Sequence, residues 1–334
     1  MDLLTGSTGY LGRRLARRLA ADDRRLRALI RPGTDLKRIP AEIAEVVWGD
    51  FDDPEALARA TAGVDTVFHA AARVSGGGSR AAFEADNVRS TEAILEAADA
   101  AGVRRLVHVS SAGIYGAGSG DAPIDEGTPL DPAIDQRGAY AWSKAEADAL
   151  VRAFGVSGRL ETVVVRPGIL YGGDQRPFIA RLQFPVPRGR GKRLVVGSRA
   201  TLIPLTHVDN ACDAIALAAT RGRAGAAYNV IDGLTTQGEY LDLLRETGVA
   251  TVDPIFVRPL WLLPVAVGCE IAGRVTGRQL PLSRYRLRRA TESLRYDTSA
   301  AREDLGWTPA VDLAAGVRTM RTGASTTPQP TGTP

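Results

Sequence analysis

The sequence predicts an α/β chain: a doubly wound parallel sheet with a smaller, mostly helical C-terminal lobe that would carry the substrate. Three observations lead there. Over the first 170 residues short apolar runs alternate with helical stretches, the pattern of strands joined by crossover helices. A glycine-rich turn follows the first run at once. After Tyr171 the pattern gives way to a stretch rich in Pro, Gly and Arg, then to mostly helical periodicity.

Taken in order, the runs that read as strands are Asp2–Thr5, Leu26–Arg31, Val46–Trp48, Thr66–His69, Leu106–Ser110 and Thr162–Arg166. A helix is predicted over Leu11–Ala20. Leu11, Leu15 and Leu19 recur on its inner face, and Arg13, Arg14, Arg17 and Arg18 are expected on a solvated one. Gly172 to Ile203 reads as an irregular insertion, and Thr206 to Ile231 as a further helix and strand of the sheet. The expected organisation is therefore a sheet domain over 1–171 and 204–232, a second lobe over 172–203 and 233–320, and a disordered Thr/Pro/Gly tail over 321–334. The apolar run Leu260–Ala272 is too short to span a bilayer and is interrupted by Pro264 and Glu270. It reads as a buried or lid helix, with a membrane-touching surface as the second reading.

Composition excludes several classes. The 334 residues are 44% hydrophobic and 24% charged, with a formal charge of +4, so a sizeable core forms and no nucleic-acid partner is implied. Cys212 and Cys269 stand alone, which argues against a metal site or a disulfide framework. The N-terminus lacks the basic and apolar regions of a signal peptide, and a cytoplasmic location is expected. Thirty-nine arginines stand against three lysines, Lys37, Lys144 and Lys192, which sharpens any motif that contains a lysine.

The turn TGSTGYLG places Gly6, Gly9 and Gly12 between the first strand and the first helix. Such a turn brings backbone N–H groups of residues such as Thr8, Tyr10 and Leu11 close to a pyrophosphate at a helix N-terminus. By composition roughly 0.4 such triplets would arise by chance, so the strand before and helix after carry the assignment to a Rossmann dinucleotide site. At the end of the second strand an acidic residue would hold a ribose 2′-hydroxyl. Here Arg31 stands there, followed by Lys37, which favours the 2′-phosphate of NADP(H), with NAD(H) left open.

Tyr140 and Lys144 lie four apart in AYAWSKAEADAL and share one helix face. Chance would supply roughly 0.07 such pairs in a chain of this composition. A free phenol titrates near 10, and an ammonium about 5 Å away at an effective dielectric near 20 would contribute about 3 kcal/mol, roughly two pKa units downward. Tyr140 is thus expected as the general acid/base of a carbonyl/alcohol interconversion, Lys144 as the group that lowers its pKa and binds ribose, and Ser111 as the residue that orients the substrate oxygen.

These residues together resemble the extended short-chain dehydrogenase/reductases, the NAD-dependent epimerase/dehydratase-like branch, over Met1 to about Arg318. The matching segments include TGSTGYLG, WGDFDD, HAAA, NVRST, VSSAGIYG, YAWSK, VRPGILYG and DLGWTP. The resemblance implies that Asp50 and Phe51 meet the adenine. It also implies that Ala70, Ala71, Ala72 and Ser110 line the cofactor strands, that Pro167, Gly168 and Ile169 meet the nicotinamide, and that Asn87 is either near the cofactor or a packing residue. His69 and His108 read as core histidines, and His207 as a structural hydrogen-bonding residue. Ala112-Gly113 after Ser111 lack the Asp-Glu pair of sugar-nucleotide dehydratases. Ile203 replaces the arginine with which nucleotide-sugar epimerases grip diphosphate, although Arg193 or Arg199 could substitute. The C-terminal run instead resembles 3β-hydroxysteroid dehydrogenase-like reductases. The expectation is an NADP(H)-dependent ketoreductase or alcohol dehydrogenase acting on a hydrophobic or polycyclic small molecule. The alternatives are a nucleotide-sugar 4-epimerase with bound NAD and, more remotely, a non-catalytic dinucleotide sensor. Pairing of two copies through the helices around 81–101 and 140–154 is also implied.

Overall fold

The computed structural model describes residues 1–320 apart from 75–78, 117–121, 157–159, 176, 181–182, 187–191, 251–252 and 277–281. The tail expected over 321–334 lies outside the described residues. Two compact units form. The first takes residues 1–170, 204–233 and 294–311, and the second 171–203, 234–293 and 312–320.

Seven strands make the sheet of the first unit: β1 (Asp2–Thr5), β2 (Leu26–Ile30), β3 (Ile43–Trp48), β4 (Thr66–His69), β5 (Arg105–Val109), β6 (Glu161–Pro167) and β7 (Ala227–Val230). Their order is β7-β6-β5-β4-β1-β2-β3, and every adjacent pair is parallel. All seven carboxyl ends therefore open onto one edge, and the order reverses between β1 and β4, where open α/β sheets take their ligands. Alternation along the strands divides the core. Leu3, Val67, Leu106 and Val164 face the helices Pro54–Thr61 and Ser90–Ala100, while Leu4, Phe68, Val107 and Val163 face helix α1 (Tyr10–Ala20) and the Val208–Arg221 helix.

Two expectations need correction here. The arginines of α1 are not simply a solvated face. Arg14 pairs with Asp209 at 3.0 Å and Arg18 with Asp213 at 2.5 Å because α1 packs beside the Val208–Arg221 helix, and Arg18 also pairs with Asp22, four residues on, at 2.6 Å. Residues 294–311 belong to the first unit and not to the second lobe. Ala301, Leu305 and Trp307 enter the same core as Ile215 and Tyr228, and the Trp307 indole donates to the Asn210 carbonyl at 2.9 Å. The apolar periodicity that read as another lobe helix is in fact a lid on one face of the sheet.

The second unit is also more regular than its Pro- and Gly-rich composition suggests. Lys192–Val196 runs parallel to Asp253–Val257 and antiparallel to Gln183–Pro185, giving three strands where an irregular insertion was expected. A partner 61 positions away creates the central pairing, and no local pattern announces it. The helices Gln237–Glu246, Pro259–Thr276, Arg284–Thr291 and Leu313–Arg318 complete the unit. The first of them begins on a reciprocal cap between Thr236 and Glu239. Pro264 and Glu270 do not interrupt Leu260–Ala272: the helix continues through both and exposes most of its apolar side chains, which sets aside the buried reading of this helix. Among the described residues no helix is long and apolar enough to cross a membrane.

Candidate active site

The turn after β1 is shaped by glycine in two ways. Gly6 adopts φ +71°, and a Cβ there would stand 2.7 Å from the Cα of Ala71, so the turn lies directly against the backbone leaving β4. A Cβ on Gly12 would meet the Gly6 carbonyl oxygen at 2.1 Å, which closes the turn onto α1. Gly9 donates its N–H to Gly6 O at 3.0 Å and precedes α1 with no side-chain cap on the helix start. Thr8, Tyr10 and Leu11 are half-buried around it. An uncapped helix start reached through glycine complements phosphate charge, so the residues present fit the pyrophosphate of a dinucleotide.

At the ends of β2 and β3 the side chains form a charged cluster. Arg31 is engaged by Asp50 at 3.1 Å and by Asp86 at 3.3 Å, and Asp86 also takes Arg73 at 2.6 Å. Asp50 accepts the Phe51 N–H at 2.8 Å, and Phe51 stands edge-on to His69 with centroids 5.7 Å apart. Lys37 is exposed in a short turn whose backbone is held by Asp35. Asp86 and Arg73 were not foreseen. Their signal in the sequence was only their flanking of Asn87 and of the HAAA segment.

At the end of β5 the structure brings together the three residues expected to act on substrate. The Tyr140 side chain lies close enough to Ser111 for the serine to favour its phenolate. Lys144, one helical turn further along Ala139–Val156, is buried and donates its ammonium to the Val109 carbonyl at 2.6 Å. Ser111 also accepts the Gly113 N–H at 3.0 Å and so caps the short turn Ala112–Ile114. The electrostatics differ from expectation. Burial raises the phenol above its ordinary value, and the group that opposes this is Ser111, not Lys144. The ammonium itself is pulled down to about 8, because burial outweighs the favourable field of Asp148.

Asn87 supplies the framework beneath this cluster. It is buried in a π-helical turn, Glu84–Arg89, accepts the Arg73 N–H at 2.6 Å, and donates to Arg73 O at 3.1 Å and Ser143 Oγ at 2.8 Å. Ser143 in turn donates to the Tyr140 carbonyl at 2.9 Å. One amide thus ties the segment after β4 to the helix that carries Tyr140 and Lys144.

The remaining expected residues lie on the same sheet edge. Ala70, Ala71 and Ala72 follow β4 and are half-buried, and Ser110 is buried at the end of β5. Pro167 ends β6, and Gly168 is required by packing, since a Cβ there would meet Pro204 O at 2.4 Å. His69 bridges Thr5 at 2.9 Å and Thr91 at 3.0 Å and stacks on His108 at 5.4 Å. His207 caps the Val208–Arg221 helix. Deeper still, Arg166 grips Asp148 through two bonds of 2.6 and 2.9 Å with both side chains fully buried, and donates to Tyr115 Oη at 2.5 Å. In the second unit Arg199 is paired with Asp242.

Comparison with known proteins accords with this geometry. The model of the NAD dependent epimerase/dehydratase family matches residues 3–231. A 4-hydroxy-2-methyl-3-oxo-4-farnesyl-3,4-dihydroquinoline-1-oxide ketoreductase of Stigmatella aurantiaca is 37% identical over 245 residues, 73% of this chain and 72% of that protein. A 3 beta-hydroxysteroid dehydrogenase/Delta 5-->4-isomerase of Mycobacterium tuberculosis is 32% identical, covering 69% of this chain and 64% of its own. The DesIV double mutant, a dTDP-glucose 4,6-dehydratase of Streptomyces venezuelae with NAD bound, superposes with a TM-score of 0.69 at 25% identity over 96% of each chain. The glycine turn at the head of a seven-stranded parallel sheet and a match across most of the sheet-bearing unit lead to one conclusion: this chain belongs to the NAD-dependent epimerase/dehydratase family of extended short-chain dehydrogenase/reductases, and is an NAD(P)-dependent oxidoreductase.

Proposed function

We propose that the chain is an NADP(H)-dependent ketoreductase that interconverts a ketone and a secondary alcohol on a hydrophobic or polycyclic substrate. The observation that carries this is the grouping of Tyr140 and Ser111 with the buried Lys144, whose ammonium donates to the Val109 carbonyl, at the sheet edge where the glycine turn lies. When bound, the nicotinamide supplies or accepts the hydride. Ser111 holds the substrate oxygen, and Tyr140 passes its Oη proton to that oxygen or takes it back. With its pKa at about 8, Lys144 carries its charge at neutral pH and would hydrogen-bond the nicotinamide ribose. Asn87 and Ser143 keep the helix bearing both groups in register with the segment after β4.

Two features support the finer reading. Relatives named for a farnesylated quinoline oxide and for steroids are 37% and 32% identical over 73% and 69% of this chain, which favours a bulky apolar ketone. Arg31 at the end of β2 offers a guanidinium to a 2′-phosphate. A nucleotide-sugar substrate is the second reading, favoured by the likeness to a dTDP-glucose dehydratase. It is weakened by Ala112-Gly113 after Ser111 and by the engagement of Arg199 with Asp242. The deciding experiment follows NADPH and NADH oxidation against panels of apolar ketones, β-keto acids and sugar nucleotides. Turnover confined to sugar nucleotides, or an equal rate with both cofactors, would overturn the proposal.

A further inference from the structure

Outside the dinucleotide site, the strongest unexplained feature is the Pro259–Thr276 helix of the second unit. Leu262, Ala266 and Cys269, spaced four and three apart, pack on Val196, Leu282, Leu287 and Ala290. That stripe completes the local core, and an ordinary surface helix would be polar elsewhere. This one is apolar on its outer side too. Leu260 is 72% exposed, Trp261 73%, Val265 54% and Ile271 56%, with Leu263 and Val267 also exposed. Between Pro259 and Gly273 the single charged residue is Glu270, and it is occupied by Arg284 at 2.9 Å.

The stretch of sequence that carries this helix is rich in positive charge. Residues 253–293 hold seven arginines against three acidic residues, a net of +4, which equals the formal charge of the whole chain. The rest of the molecule is neutral in sum. Arg258 is exposed at the helix start, and the neighbouring Arg284–Thr291 helix presents Arg284 and Arg288 to solvent. An exposed apolar helix with a tryptophan at one end, set among arginines, has the chemistry of an interfacial anchor: apolar side chains enter the acyl boundary while guanidinium groups meet anionic headgroups. A second copy of the chain would bring the same net positive charge to the contact, whereas an anionic bilayer complements both the apolar face and its surrounding charge.

We infer that the outer face of Pro259–Thr276 docks on the surface of an anionic lipid bilayer, with Leu260, Trp261 and Ile271 inserted. The helix lies on the membrane and does not cross it.

The test is sedimentation of the full-length protein with vesicles of phosphatidylcholine containing roughly 30% phosphatidylglycerol, beside vesicles of phosphatidylcholine alone. The protein should pellet with the anionic vesicles, several-fold less with the neutral ones, and less again at high salt. The triple variant Leu260→Ser/Trp261→Ser/Ile271→Ser changes exposed positions only. It should lose about tenfold or more of the vesicle binding while its circular dichroism melt stays that of the parent. Absence of binding to anionic vesicles, or binding that the triple variant retains, overturns the inference. So does a concentration-dependent dimer, seen by sedimentation equilibrium, that the triple variant abolishes without any vesicle binding; a second copy would then cover this face.

Discussion

The ammonium of Lys144 donates at 2.6 Å to the carbonyl of Val109, the last residue of β5. This bond fastens the helix that carries Tyr140 to the strand that leads into Ser111, so the groups proposed as acid/base and as substrate-orienting share one rigid mount. The carbonyl oxygen replaces part of the hydration that burial removes from the ammonium, while Asp148 supplies the favourable charge.

Tyr140→Phe should lower kcat by about two to four orders of magnitude, the usual contribution of a positioned proton donor, and leave NADPH binding nearly intact. Ser111→Ala should lower kcat less and raise KM. Steady-state kinetics beside fluorescence titration of NADPH check both, and near-parental turnover by the Phe variant would falsify the assigned role.

Arg31 sits between two carboxylates, so its availability to a 2′-phosphate depends on Asp86 as well as on itself. Arg31→Ala should weaken NADPH far more than NADH. Asp86→Asn should release Arg31 from one partner and tighten NADPH by several-fold with little effect on NADH. Equal changes for both cofactors in Kd measurements would show that Arg31 does not meet the phosphate.

Asn87→Ala removes three hydrogen bonds and leaves the Arg73 backbone groups short of partners. It should cost about 1–3 kcal/mol and reduce kcat, because the Tyr140 helix loses its tie to the segment after β4. Ser143→Ala removes one of these bonds and should cost less. Urea denaturation of the two variants gives the comparison, and a larger loss for Ser143→Ala would contradict it.

Asp148 and Arg166 are fully buried against each other. Asp148→Asn leaves the guanidinium without a counter-charge and should destabilise the fold by about 3–5 kcal/mol, while the double change Asp148→Leu/Arg166→Met should recover much of it. If the single variant melted at the parental temperature, the pair would not be carrying that charge balance.

Burial holds the His69 imidazole down at about 3, and His108 shifts the same way. Both are neutral in the folded chain. As pH falls below about 6.5 the unfolded chain takes up protons that the folded chain refuses. Stability fully present above pH 6.5 is therefore lost as pH falls towards 3, by up to about 5 kcal/mol from His69 alone. Denaturation midpoints between pH 7 and 4 should show this slope, and His69→Asn should flatten it. Parallel slopes in parent and variant would assign the acid sensitivity elsewhere.

What the amino-acid sequence determined by itself is whatever depends on local spacing. The short apolar runs became β1 to β6, with ends displaced by no more than three residues. The glycine turn took its place between β1 and α1, and the Tyr140/Lys144 spacing set both side chains on one helix face. Helical and strand periodicity, and the backbone freedom of glycine, act within a few residues and so are visible in one dimension. What only the tertiary structure decided depends on partners far apart in the chain. The strand Lys192–Val196 exists through its pairing with Asp253–Val257, and Trp307 joins the sheet core because the Val208–Arg221 helix waits there. Asn87 is positioned by Ser143, 56 residues on, and Arg31 by Asp50 and Asp86. The sign of the Tyr140 shift belongs here as well. Spacing to Lys144 predicted a lowered phenol, but desolvation is set by everything packed around the ring, and that surrounding is a property of the folded chain alone.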